Sequence, residues 1–101
     1  MIIYVDMCGD LLHYGHIRFL EKAKKLGDKL IVGIHSDKTI ESYKRTPVCT
    51  MEERIELVKS VKWVDEVIED APLFITEEYI EKHQIDKIAV PINRTKEEIE
   101  K

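Results

Sequence analysis

Two apolar runs in this chain lack the alternation of a half-exposed strand. Ile2-Ile3-Tyr4-Val5 opens the chain, and a second run, Lys29 to His35, reads Lys-Leu-Ile-Val-Gly-Ile-His. Continuous runs of β-forming residues belong to sheets covered on both faces, usually parallel ones. Parallel neighbours need a crossover, and the segment between the runs can supply it. Ile17, Leu20, Ala23 and Leu26 recur every three residues with Phe19 beside them, while Glu21, Lys22, Lys24 and Lys25 fill the other face. That is an amphipathic helix, and Gly27 stands where a left-handed C-terminal cap is expected.

The pattern continues to the end. Ser36 can cap a short helix through about Tyr43, and Pro47 keeps the next stretch a loop. Thr50-Met51-Glu52-Glu53 is a capping box opening a helix with Ile55, Leu57, Val58 and Val61 on its apolar side. A third strand is expected over Val64 to Ile68, a helix capped by Thr76 through about His83 with Tyr79 and Ile80 inward, and a fourth strand over Ile85 to Val90. Pro91 ends that strand, and Thr95-Lys96-Glu97-Glu98 starts a short terminal helix. Strands alternating with helices imply an α/β fold, a Rossmann-like doubly wound parallel sheet with helices on both faces. At 101 residues, without repeat, low-complexity tract or linker, one domain over 1–101 is expected.

Composition narrows the partners. A formal charge of −4 and the absence of a long basic run argue against nucleic acid. No apolar run approaches the ~20 residues that span a bilayer, and the N-terminus has no signal-like start, so a cytoplasmic protein without a membrane segment is expected. Cys8 and Cys49 are far apart without C-x-x-C spacing, as two reduced thiols would be.

Where the first strand hands over to the first helix stands Asp10-Leu11-Leu12-His13-Tyr14-Gly15-His16. Ligands of such sheets bind at the carboxyl ends of strands, and a helix start offers unpaired N–H groups and partial positive charge to a phosphate. Three readings fit the spacing. His13 and His16 can face nucleotide phosphates. They can cap the helix or satisfy buried backbone groups. With Cys8 and Asp10 they can be metal ligands, although zinc sites need three or four ligands in defined geometry and the remaining ones are not obvious; no metal site is expected.

The whole string resembles the cytidylyltransferases, the nucleotidyltransferases with an H-x-G-H signature, whose usual form is a strand, a small residue, Phe-Asp, two apolar residues and His-x-Gly-His. The resemblance continues through Leu26 to Asp37, Lys44, Pro47-Val48, Thr50-Met51-Glu52-Glu53-Arg54 and Lys62-Trp63-Val64-Asp65-Glu66-Val67. Asp70-Ala71-Pro72 is similar to the branch acting on phosphoethanolamine. The resemblance implies transfer of CMP from CTP, carried with Mg²⁺, to a phosphorylated alcohol, with release of pyrophosphate. Phosphoethanolamine is favoured; phosphocholine and glycerol 3-phosphate are the other acceptors.

It also implies roles. His13 and His16 would stabilise charge on the α-phosphate, with Gly15 letting the backbone come close. Cys8, Gly9 and Asp10 would line the nucleotide's turn, and Lys44 and Arg54 would hold substrate or nucleotide phosphates. Asp10 and Trp63 would lie at the acceptor, Trp63 offering an aromatic face to a cationic head group. A homodimer is usual in the family and would relieve a small core.

Three departures stand beside the match. Met7 and Gly9 replace the usual Gly and aromatic residue before the Asp. Pro91-Ile92-Asn93-Arg94 stands where the family has a His-Gly-Asn-Asp or Gly-Asp-Asp segment, leaving Asn93 and Arg94 as nucleotide-binding candidates. The late Arg-Thr-x-Gly-Ile-Ser-Thr motif lacks its Gly-Ile-Ser-Thr core. A second reading is therefore a weak or inactive member, serving as a nucleotide-binding or dimeric interaction module.

Overall fold

The computed structural model describes residues 1–42 and 46–89. In chain order the elements are β1 (Ile2–Met7), α1 (Tyr14–Lys25), β2 (Lys29–Ile34), α2 (Asp37–Glu41), α3 (Met51–Lys59), β3 (Glu66–Ile68), α4 (Glu77–His83) and β4 (Lys87–Ile88). The strands form one parallel sheet in the order β3-β2-β1-β4. The chain steps outward from β1 to β2 to β3, then returns to the far side of β1. The order thus reverses between β1 and β4, and open α/β sheets bind ligands beyond the carboxyl ends of strands at such a point.

The period-2 alternation of side chains sorts the sheet into two faces. Ile3 and Val5, in register with Leu30 and Val32, pack against Leu20 and Ala23 of α1 and Ile55 and Val58 of α3. Tyr4 and Ile31 point to the other face, where Tyr79 and Ile80 of α4 cover them. Both faces are thus covered, as the unalternating runs require. Leu20 is fully buried, and its truncation to Ala would cost about 2–5 kcal/mol. On the α4 face the Tyr4 hydroxyl meets that of Tyr79 at 3.0 Å, and burial raises it above its ordinary pKa. A Cβ on Gly33 would lie 2.1 Å from that hydroxyl oxygen, which is why a glycine sits inside β2.

Several sequence expectations change. β1 runs on through Asp6 and Met7, because both pair with Gly33 and Ile34 of β2. β3 and β4 are shorter than expected, and α2 ends at Glu41. Gly27 is not left-handed: α1 ends on Leu26 in the right-handed region, with Leu26 N–H on the Ala23 carbonyl and Gly27 N–H on that of Lys24. The glycine is required by close approach instead, since a Cβ there would lie 2.6 Å from the Met1 carbonyl oxygen. Leu26 and Leu57 are exposed rather than inward. The expected strand end at Val90, Pro91 and the Thr95 helix lie outside the described residues. No helix among the described residues is long and apolar enough to cross a membrane.

Candidate functional site

The loop from Cys8 to His13 leaves the carboxyl end of β1 in a conformation that needs particular residues. Gly9 is buried with φ of +73°, and a Cβ there would lie 3.1 Å from Val58 Cγ2 and 3.2 Å from Ile34 Cδ1. The glycine that replaces the family's aromatic residue is therefore fixed by backbone and packing together. Leu11 also has positive φ, 49°, and is exposed. A leucine in that region is strained, and such strain gathers at binding sites.

Asp10 ties the loop down. Its Oδ2 accepts from Val48 N–H at 2.8 Å and its Oδ1 from Cys49 N–H at 2.9 Å. Those two backbone bonds hold its carboxyl below the usual carboxylate range. Both oxygens thus serve the join between this loop and the start of α3. The Cys49 thiol, held above its ordinary pKa by the Asp10 carboxylate and then by burial, is not an activated nucleophile. Cys8 and Cys49 are both unbridged.

The loop ends on His13, the N-cap of α1. His13 Nδ1 accepts from Gly15 N–H at 3.0 Å, and His16 Nδ1 accepts from His13 N–H at 3.1 Å. This is a reciprocal capping box made of two histidines in place of the usual Ser/Thr and Glu. It fixes the tautomer of both rings. With Nδ1 an acceptor, the proton of each neutral imidazole sits on Nε2. The ring centroids are 4.1 Å apart. Each ring thus carries its donor on Nε2, at a helix N-terminus whose own dipole favours an anion. A Cβ on Gly15 would lie 2.8 Å from His13 Cε1, so the glycine lets that ring fold over the first turn. Capping uses Nδ1 of both rings, so it does not compete with a contact made through Nε2.

Arg54 was expected to hold a phosphate, and the structure directs it inward. Its side chain is 0% exposed. Nη1 donates to the Cys8 and His35 carbonyls, both at 2.7 Å, and Nη2 to the Asp37 carboxylate and, at 3.2 Å, to Met51 sulfur. Four of the five guanidinium N–H groups are thus used inside the protein, and the fifth, on Nε, is buried without a partner among the described residues. No N–H is left at the surface for a ligand. The signal was present in the sequence: Arg54, Val58 and Val61 follow helical spacing i, i+4, i+7, which puts the arginine on the buried stripe.

Trp63 is likewise not brought to the histidines. It precedes Asp65, whose N–H bonds the Leu30 carbonyl and whose carboxylate accepts from Leu30 N–H and Lys24, all at the amino end of β2. Trp63 packs against the α1/α3 core, with Lys62 Nζ 4.5 Å from its ring centroid. The histidines lie at the other end of the strands. Cys8, Gly9, Asp10, His13, Gly15 and His16 are gathered at one edge; Lys44, Asn93 and Arg94 lie outside the described residues.

This arrangement coincides with a known sequence family. The cytidylyltransferase-like profile matches residues 8–99. The chain belongs to the cytidylyltransferase-like family. It is 50% identical over 90 residues to an ethanolamine-phosphate cytidylyltransferase of Arabidopsis thaliana, covering 85% of this chain and 21% of the relative. It is 44% identical over 89 residues to choline-phosphate cytidylyltransferase 2 of the same plant, covering 86% of this chain and 29% of that one. An FAD synthase of Thermococcus sibiricus is 42% identical over 99 residues, covering 91% of this chain and 67% of the relative. Among solved structures, a lipopolysaccharide core biosynthesis protein from Thermoplasma volcanium superposes with a TM-score of 0.84 at 27% identity, over 99% of this chain and 81% of that one. The nucleotidyltransferase-type Rossmann-like fold is thus shared. The chain spans about a fifth of the length of the ethanolamine-phosphate cytidylyltransferases it matches.

Proposed function

We propose that this chain transfers CMP from CTP to a phosphorylated alcohol, with phosphoethanolamine as the favoured acceptor. The observation that carries the proposal is the pair of Nε2–H donors locked by the histidine capping box at the start of α1. The names of the ethanolamine- and choline-phosphate relatives support the nucleotide and the acceptor class. An oxygen of the acceptor phosphate attacks the α-phosphorus of CTP. A new P–O–P bond forms, the bond to the α,β-bridging oxygen breaks, and pyrophosphate leaves with the electron pair. No covalent intermediate with the protein is needed, so positioning and charge stabilisation supply the catalysis. The preset donors of His13 and His16 act where negative charge grows on the α-phosphate. Lys44, Asn93 and Arg94 supply further contacts to phosphates in this proposal.

Among the described residues no three His, Cys, Asp or Glu side chains gather as a metal site. Mg²⁺ would enter on the phosphates of CTP, as part of the substrate. Two copies of the chain would share the work of covering a small core.

The FAD synthase relative favours a second reading, adenylyl transfer from ATP to a flavin phosphate, because this chain accounts for 67% of that protein. Pyrophosphate release decides between them. CTP with phosphoethanolamine, phosphocholine or glycerol 3-phosphate is expected to release it, with phosphoethanolamine fastest. Release only from ATP with flavin mononucleotide would replace the proposal by the second reading. Nucleotide binding without release in any arm would reduce the chain to a binding module.

A further inference from the structure

The Arg54 guanidinium sits in the split where the two central strands part. The last ladder bond between them runs from His35 N–H to the Met7 carbonyl. Beyond it the β1 chain turns into the histidine loop and the β2 chain turns into α2. Arg54 fills the gap, taking the Cys8 carbonyl from one branch and the His35 carbonyl and Asp37 carboxylate from the other. A fully buried cation, one of whose N–H groups has no partner among the described residues, is costly. Polar groups meet the guanidinium, while its stem lies near the apolar turn at Gly9, where an added Cβ would lie 3.8 Å from Arg54 Cβ and close to Val58 and Ile34.

We infer that Arg54 is a positioning residue for nucleotidyl transfer: it sets the place of the histidine pair through the Cys8 carbonyl and Gly9, without touching the nucleotide. Cys8 is five residues from His13, and the intervening turn is already fixed at Gly9 by its φ and at Asp10 by two bonds to the α3 entrance. With those points set, a displacement at Cys8 is passed to His13 rather than absorbed. Lysine in place of Arg54 keeps the charge but not the planar fork, and cannot hold two carbonyls and a carboxylate together.

The test is Arg54→Lys in the full chain, read by kcat and KM for CTP per folded molecule and by amide hydrogen exchange. The turnover part rests on the transfer proposal; the exchange part does not. We expect kcat to fall about tenfold or more, as misplacement of reacting groups does, with KM for CTP changed less than about threefold. Residues 8–16 should exchange faster while the β1 and β2 core keeps its protection. A rise in KM with kcat retained would mean that Arg54 contacts the nucleotide, and would overturn the inference. Unchanged kcat and KM would overturn it too, leaving a residue of the core alone. If Arg54→Lys fails to fold, Asp37→Ala, which removes one arm of the clamp, should give a smaller kcat loss in the same direction; no loss overturns the inference. If the wild-type chain shows no transfer at all, exchange of residues 8–16 decides: faster in the variant supports positioning, unchanged refutes it.

Discussion

At the amino edge of the sheet the chain is fastened by bonds that many surfaces could make. The terminal amine pairs with Asp28, Ile2 N–H bonds Asp86, and Lys24 reaches Asp65, which in turn accepts from Leu30 N–H. The carboxyl edge is built differently. There the chain places Gly9, Leu11 and Asp70 at positive φ, buries an arginine with one N–H unpartnered among the described residues, and caps α1 with imidazoles where a serine would do. Among the described residues the amino edge has one at positive φ, Gln84 with φ of 55° at the end of α4, so more of the conformational cost falls on the edge that carries the histidines. The comparison predicts that changes at the carboxyl edge alter turnover and those at the amino edge alter only stability.

The largest expected effect is at His16 and His13. Replacing either by Ala should lower kcat for pyrophosphate release by about 10²–10³-fold, the usual loss of a charge-stabilising donor. His13→Asn sharpens the comparison, because Asn is a good N-cap but lacks the Nε2 donor. It should keep the melting temperature near wild type while losing most turnover; full turnover in His13→Asn would reduce the histidines to caps.

Next come two glycines, one on each edge. Gly9→Ala forces a side chain into the left-handed region against Val58 and Ile34 and should cost about 1–3 kcal/mol by chemical denaturation, with turnover per folded molecule also reduced. Gly27→Ala meets the Met1 carbonyl and should cost about 1–3 kcal/mol by the same measurement, yet leave turnover per folded molecule unchanged. Equal turnover losses at both glycines would break the distinction between the edges.

The sheet and helices were legible because the forces that make them are local. Unalternating runs marked buried parallel strands, and Ser36, Thr50 and Thr76 marked helix starts, where each side chain does cap. The site was half legible. The histidine string could be found with capping among its readings, but histidine is outside the usual Ser, Thr, Asp and Asn cap set, which hides that α1 begins at Tyr14, directly after His13. The resemblance assigns Arg54 to a phosphate, whereas its helical spacing with Val58 and Val61 points to the buried side, where the structure puts it. Trp63 was read as a substrate residue because its place at the amino edge depends on Asp65 pairing with Leu30, a contact 35 residues apart in sequence.

Asp10 gives a pH test of smaller size. Its carboxyl is held below the ordinary 3.8 by the Val48 and Cys49 N–H groups. A depressed carboxyl stabilises the fold above its unfolded pKa, and that contribution is lost as pH falls through the folded value. Wild-type stability should therefore fall below about pH 4, and Asp10→Asn should be less stable at pH 7 with a flatter acid limb in thermal melts. The smallest effect is expected at Lys24→Met on the amino edge. Its pair with Asp65 is partly exposed, so the loss should stay within about 1 kcal/mol, with turnover unchanged.

The central claim is that the two imidazoles are held as Nε2–H donors toward a phosphate. Long-range ¹H–¹⁵N correlation of the histidine rings at neutral pH reads this directly, in the free chain and with CTP added. The account predicts Nε2–H signatures for His13 and His16 when free, and shifts of both Nε2 resonances on adding CTP while His83 stays in place. Nδ1–H signatures at either ring, or CTP shifts confined to other residues, would contradict it.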